Sequence, residues 1–162
     1  MKFHGSVAVI LIFVSSVTMA SEAGGGLSER DVSLRFAPIN SLAQLDAHLA
    51  FRSPESPLML LSDNARKTFV DSLVFTHVGL AGFSYEPIVR ELSTSEAYRL
   101  LSLFGAQRTI AVLPPLRRDS TLDDVVSKSV SLNPVVEDHP GYACTGRATC
   151  SSFINSICMS GC

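Results

Sequence analysis

The middle of the chain carries a helical pattern of hydrophobic positions. Apolar residues recur at helical spacing in three stretches, and each stretch follows a residue that can cap a helix N-terminus. The predicted helices begin after Ser41, after Ser84 and after Ser93, and Ser93 and Glu96 have the spacing of a capping box. Gly105 follows the last apolar position of the third stretch and is the expected terminating residue.

Shorter segments have the alternating, β-branched or aromatic composition of strands. Val32–Phe36 alternates apolar and polar residues, and Arg108–Leu113 is a largely apolar run closed by two prolines. Leu73–Val78 is followed by Gly79 and Gly82, which bracket a turn, so a β-hairpin is predicted there. Together with the helices, these segments predict a small, helix-rich α+β domain with a short β-hairpin.

One hydrophobic segment differs from the others because it is unbroken. Val7–Val14 contains only apolar residues, follows the positive Lys2, and is succeeded by small residues up to Ala20. This order is typical of a secretory signal peptide, residues 1–20, which is cleaved after Ala20. The apolar run is well short of the roughly 20 residues that span a bilayer, so no stable membrane anchor is expected after cleavage. The protein is therefore predicted to be secreted or periplasmic.

Composition divides the rest of the chain into segments. Residues 21–26 end in three glycines and are predicted to be a flexible lead-in. Residues 27–116 hold most of the predicted helices and strands and form the core domain. Residues 117–141 are polar, charged and interrupted by prolines, which indicates a linker. Residues 142–162 hold all four cysteines and are predicted to form a tethered C-terminal module.

The cysteines are Cys144, Cys150, Cys158 and Cys162, with the spacing C-x5-C-x7-C-x3-C. In an exported chain, an even number of cysteines indicates disulfides. The spacing lacks the C-x2-C pair that zinc sites commonly use, and it also lacks a redox-active C-x-x-C motif. Neither a metal nor a cofactor is predicted.

The expected pairing of the cysteines depends on the structure between them. Ser151 can cap a helix that runs towards Met159, so the C-terminal module is predicted to be helical. In a continuous helix Cys150 and Cys158 would be about 12 Å apart, beyond the roughly 7 Å limit for a disulfide. The first cysteine is therefore expected to pair with the second and the third with the fourth. Two other pairings stay open, because they only require the helix to break or turn back. The nested pairing joins Cys144 to Cys162 and Cys150 to Cys158. The crossed pairing joins Cys144 to Cys158 and Cys150 to Cys162.

The sequence shows no recognisable catalytic set. The serine motif G-x-S-x-G is absent. His48 is predicted to lie on the surface of the first helix, His77 to be a structural residue of a strand, and Glu137–His139 to be a solvated loop. The net charge of −2 comes without a basic stripe, which argues against nucleic acid as a partner.

These patterns fit a non-enzymatic binding protein best. The disulfide-shaped module would present the apolar stripe of Phe153, Ile154 and Ile157 to a protein partner or back onto the core. One alternative is a precursor that releases the cysteine module as a small peptide, with the basic pair Arg117 and Arg118 as the candidate processing site. The other alternative is a hydrolase whose site is assembled from residues distant in sequence.

Overall fold

The computed structural model describes residues 29–51, 53–132 and 137–162. The predicted signal peptide, its cleavage site at Ala20 and the glycine-rich lead-in lie outside these residues. The described part of the chain contains six α-helices, two 3₁₀ helices and four β-strands, which confirms the α+β class.

The elements follow one another along the chain with short connections. The α-helices are α1 (Glu29–Arg35), α2 (Leu42–Phe51), α3 (Asp63–Asp71), α4 (Glu86–Glu91), α5 (Thr94–Ser102) and α6 (Thr121–Ser131). The strands are β1 (Val74–Thr76), β2 (Gly79–Ser84), β3 (His139–Gly146) and β4 (Thr149–Cys158). The 3₁₀ helices are Pro57–Leu60 and Gln107–Val112.

Local signals at both ends of α5 agree with the sequence prediction. The Ser93 hydroxyl accepts the backbone N–H of Glu96, and the Glu96 carboxylate accepts the backbone N–H of Ser93 at 2.8 Å, which completes the capping box. Beyond the other end, Gly105 has φ +68°, and a Cβ at this position would lie 2.1 Å from the carbonyl oxygen of Ser33. Only glycine fits there, because both the backbone angle and the close approach exclude a side chain.

Two predicted strands are helical instead. Most of Val32–Phe36 belongs to α1, which has acidic residues in its first turn and a basic residue in its last turn that complement the helix dipole. Leu34 is the apolar residue of this segment that α1 buries completely. Arg108–Leu113 lies largely in the second 3₁₀ helix, where the consecutive residues Thr109 and Ile110 are both buried. Packing of consecutive side chains against the core thus overrides the β propensity of this run.

The four strands form one antiparallel sheet in the order β1-β2-β4-β3. A hairpin forms at the predicted place, as β1 and β2, but its turn is at His77 and Val78. The turn was predicted between Gly79 and Gly82, which lie in β2 instead, and His77 was predicted in a strand. The other edge of β2 pairs with β4, where Gly82 lies opposite Cys158 and Phe83 opposite Ile157. The C-terminal module is therefore a β-hairpin that continues the core sheet, and the prediction of a helix in it was wrong. A short apolar run fits either a helix or a strand, and here the open edge of β2 supplies the backbone partners of a strand.

The hydrophobic core joins the helices to this sheet around Phe69 of α3. The Phe69 ring is completely buried, and its centroid lies 5.8 Å from that of Phe83 and 5.9 Å from that of Phe104, both edge to face. Ile157 of β4 and Met159 just after it belong to the same buried cluster. The C-terminal strand is thus part of the core.

The segment predicted to be a polar linker, residues 117–141, includes α6, which packs against α5. Asp123 in the first turn of α6 is buried and accepts hydrogen bonds from the backbone N–H of Ser95 at 2.7 Å and from the Ser120 hydroxyl at 2.7 Å. Burial alone would raise the pKa of Asp123, but hydrogen bonds from Ser95 and Ser120 outweigh it and hold the pKa well below its ordinary value. The buried carboxylate therefore ties α6 to the start of α5. The boundaries of the predicted segments stay predictions.

Candidate functional site

The C-terminal β-hairpin, formed by β3 and β4, contains most of the predicted site residues. Cys144 of β3 lies opposite Cys150 of β4, and the chain turns between them at Arg147 and Ala148. Ala148 has a positive φ of 52°, a backbone angle that tight hairpin turns require. Residues 142–152, the outer part of this hairpin, are called the distal hairpin.

A bend in β4 folds the distal hairpin back over β2. Asn155 has φ 60°, in the left-handed region that asparagine tolerates better than most residues. On the facing strand, the register shifts between Pro140 and Tyr142. A Cβ at Gly82 of β2 would lie 3.5 Å from the Cβ of Cys144, so the distal hairpin is close to β2.

Two nested disulfides hold this bend. Cys144 pairs with Cys162 at a Cα separation of 5.7 Å, and Cys150 pairs with Cys158 at 5.9 Å. The expected local pairing was wrong, because the helix on which it depended does not form. In a straight strand, Cys150 and Cys158 would be about 26 Å apart at the usual rise per residue. The second bridge therefore requires the bend at Asn155, and once formed it fixes that bend.

The two bridges lie side by side. The sulfur atoms of Cys144, Cys158 and Cys162 are all within 4.8 Å of one another. None of the four cysteines is free, and a sulfur atom in a disulfide is not the thiolate that binds zinc. The cluster therefore acts as a cross-link between β3, β4 and the residues that follow β4.

The structure separates the three residues predicted to form an interaction face. Phe153 is 60% exposed and Ile154 is 81% exposed, and both lie in β4 immediately before the bend. Ile157 is completely buried opposite Phe83 of β2, so this residue packs onto the core and does not belong to an exposed face. Tyr142 on the facing strand is 45% exposed and was not among the predicted residues of this face. The exposed set of Phe153, Ile154 and Tyr142 is called the apolar hairpin patch.

A groove lies between β1 and the distal hairpin. It has a volume of about 430 Å³, and its apolar lining includes Val74 and Phe75. His77 and Arg147 contribute the basic side chains. Sequence patterns contained no signal for this groove, because it exists only where the bent hairpin approaches a strand about 70 residues earlier in the chain.

A buried ion pair fixes the base of the hairpin. Arg30 of α1 donates two hydrogen bonds to the Asp138 carboxylate, at 2.7 and 2.6 Å, and a third to the Thr109 hydroxyl at 3.2 Å. The Thr109 hydroxyl in turn donates to Asp138 at 2.7 Å, as does the backbone N–H of Ser160 at 3.3 Å. Burial lowers the pKa of the Arg30 guanidinium, and the Asp138 carboxylate opposes that effect. The prediction of a solvated loop at this position was wrong for Asp138, whose side chain is 0% exposed.

The candidate processing pair lies on the surface, but its backbone is held in place. Arg117 and Arg118 are both exposed. The carbonyl oxygen of Arg117 accepts hydrogen bonds from the backbone N–H of Thr94 at 2.9 Å and from the Thr94 hydroxyl at 3.1 Å. A protease would have to open these contacts before the chain could be cut, because proteases bind extended, free backbone. Processing at this pair stays a prediction.

The nested pairing can be checked by cleavage of the unreduced, denatured protein after Arg147 with trypsin and after Met159 with cyanogen bromide. With the nested pairing, the peptide Ala148–Met159 contains only the Cys150–Cys158 bridge and is released on its own. With either other pairing, all three pieces stay joined, so a free Ala148–Met159 peptide is absent. Mass spectrometry separates these outcomes, and reduction before cleavage is the control.

No match was found when the chain was compared with protein-family models, with curated proteins and with solved structures. Within residues 29–51, 53–132 and 137–162, no helix is both long enough and apolar enough to cross a membrane. Disulfides form and persist in oxidising compartments, so the two bridges indicate an extracytoplasmic environment.

Proposed function

We propose that the protein is a secreted or periplasmic binding protein that holds a protein partner through its C-terminal hairpin. The observation that carries this proposal is the exposure of Phe153 and Ile154, at 60% and 81%, on a strand fixed by disulfides. Neighbouring large apolar side chains in water are unfavourable, and they are typical of surfaces that another protein covers.

The disulfides make this hairpin suited to tight binding. A flexible hairpin would lose conformational entropy when a partner immobilises it, and that loss would weaken the complex. Here the Cys150–Cys158 bridge already fixes the strand on both sides of Phe153 and Ile154. The apolar hairpin patch is thus presented in one shape before the partner arrives.

The surroundings of the patch indicate the chemistry of the partner. The distal hairpin carries a single charged residue, Arg147, and otherwise consists of small, hydroxyl-bearing and apolar side chains. A complementary surface has separate apolar contacts for Phe153 and Ile154, because consecutive strand residues point to opposite faces of the hairpin. The groove of about 430 Å³ beside Arg147 offers a second contact. Its apolar lining suits an apolar side chain of the partner, and Arg147 suits an acidic group next to that side chain.

The proposal is tested with the double substitution Phe153→Ser and Ile154→Ser in the full secreted chain. Partner capture is measured by chemical cross-linking in the extracytoplasmic fraction of the source cells. We expect binding to weaken by at least about 30-fold, the equivalent of one hot-spot residue of about 2 kcal/mol. The same effect should be seen in binding experiments with the purified partner.

The matched control is Phe36→Ser with Leu42→Ser, which also replaces one aromatic and one aliphatic residue, 78% and 58% exposed. This control should bind like the wild type. Equal capture by the hairpin variant and the wild type would contradict the proposal, and so would equal losses in both variants. The intact mass of the secreted protein shows whether the hairpin is still attached, which separates a binding protein from a precursor.

A further inference from the structure

A second part of the molecule holds a serine and a histidine within hydrogen-bonding distance. His48 Nε2 on α2 lies 2.8 Å from Ser56 Oγ, and Ser56 immediately precedes the first 3₁₀ helix. Both residues are half-buried and line a cavity of about 320 Å³. His48 was expected on the surface of its helix, and its place in a cavity wall corrects that prediction.

The hydrogen bonds at Ser56 favour a reactive hydroxyl group. The backbone N–H of Leu58 donates to Ser56 Oγ at 3.3 Å, which holds the hydroxyl group in place beside the imidazole ring of His48. When His48 carries its hydrogen on Nδ1, its Nε2 can accept the hydrogen of the Ser56 hydroxyl. A histidine activates a serine nucleophile through this arrangement.

The walls of the cavity indicate which substrates it suits. Leu49, Leu58 and Met59 supply apolar surface, and Arg66 supplies a basic group. The Arg66 guanidinium donates to the Met59 sulfur at 3.3 Å and to the Leu61 carbonyl oxygen at 3.5 Å and also contacts Asp63, so it is fixed at the cavity wall. A cavity of about 320 Å³ is at the small end of ligand pockets and fits a short acyl chain.

We propose that Ser56 and His48 hydrolyse small carboxylic esters. Ser56 Oγ attacks the carbonyl carbon while His48 Nε2 takes the hydroxyl proton. The tetrahedral intermediate then collapses, the ester C–O bond breaks, and His48 gives the proton to the departing alkoxide, which leaves as an alcohol. Water attacks the acyl-serine in the same way, His48 returns a proton to Ser56 Oγ, and the acid is released. The reaction needs no oxidant and no cofactor.

The expected rate is modest because none of the described residues that line the cavity is acidic. His48 therefore has no carboxylate there to orient it. An activated ester such as p-nitrophenyl butyrate is thus the appropriate probe, since its leaving group needs little protonation.

The test combines turnover of p-nitrophenyl butyrate by the full chain with labelling by a fluorophosphonate. Peptide mass mapping should place the label on Ser56. His48→Gln should lower turnover by about 100-fold, the size of a general-base contribution. Ser56→Ala should abolish labelling at this peptide and reduce turnover to the background of the probe.

The matched controls are Ser129→Ala and His139→Gln, which remove an exposed serine and an exposed histidine elsewhere. Both should turn over the ester like the wild type. Ser56→Ala also removes the cap of the 3₁₀ helix, so thermal unfolding is measured for each variant. His48→Gln avoids this loss, because it leaves the hydrogen bond from Leu58 to Ser56 in place. Turnover that is unchanged in both site variants, or a phosphonate that does not attach to Ser56, would overturn the proposal.

Discussion

Replacement of Asp138 with alanine is expected to lower the free energy of unfolding by about 3–5 kcal/mol, the usual cost of breaking a buried ion pair from one side. The variant leaves the Arg30 guanidinium buried without its counter-ion, and it removes the acceptor of the Thr109 hydroxyl. Urea unfolding of the oxidised protein, followed by circular dichroism, measures the change.

Two comparisons isolate the cause of this loss. Asp63→Ala breaks the ion pair with Arg66, in which the Asp63 side chain is 96% exposed, and should cost less than about 1 kcal/mol. The double substitution Arg30→Met and Asp138→Leu removes both charges and should recover most of the stability, since apolar replacements of buried pairs are often neutral. If Asp138→Ala is no more harmful than Asp63→Ala, the pair does not support the hairpin base.

Phe69→Ala is expected to lower the free energy of unfolding by about 3–5 kcal/mol, the range for large aromatic side chains removed from a core. Phe69 is completely buried and loses edge-to-face contacts with both Phe83 and Phe104 when it is truncated. The surrounding helices and β2 are held by many other contacts, so the cavity left behind cannot close fully. Urea unfolding again gives the free energy.

The matched control for this prediction is Phe51→Ala, because Phe51 at the end of α2 is 83% exposed. Exposed substitutions away from special features usually change stability by less than about 0.5 kcal/mol. Similar losses in the two variants would mean that Phe69 is not at the centre of the core. A loss in Phe69→Ala alone, with an unchanged denaturant slope, supports the packing described above.

The sequence was most informative where structure is decided locally. The capping box at Ser93 and the terminating Gly105 predicted both ends of α5, because the cap hydrogen bonds and the left-handed turn depend on nearby residues alone. The presence of the hairpin of β1 and β2 was predicted for the same reason, although its turn is at His77 and Val78 and not between Gly79 and Gly82.

The sequence was least informative where a distant partner decides the outcome. The run from Phe153 to Ile157 fits a helix, and pairing of β4 with β2 and β3 makes it part of a strand. The expected disulfide pairing was wrong for the same reason, because it assumed a continuous helix that would hold Cys150 and Cys158 too far apart to bond. The ion pair of Arg30 and Asp138 joins residues that lie 108 positions apart, and no local pattern reports such a contact.

The two candidate sites also differ in how far the sequence predicts them. Phe153 and Ile154 could be proposed from composition, because an apolar pair in a cysteine-rich segment is visible in the sequence. The proximity of His48 and Ser56 could not be predicted, although they are close in sequence. Their contact depends on the intervening segment, which contains Pro54 and has no periodic pattern.

β4 lies inside the sheet but is synthesised long after β2, so the sheet is incomplete while the chain is being made. Gly82 of β2 emerges from the ribosome long before Cys158, its partner across the sheet. Until that strand arrives, one edge of β2 has unpaired backbone groups, and the core lacks Ile157 and Met159. An open strand edge is a site of aggregation, so the growing chain needs protection until β4 is made. A premature stop before β4 should therefore yield an insoluble or degraded product.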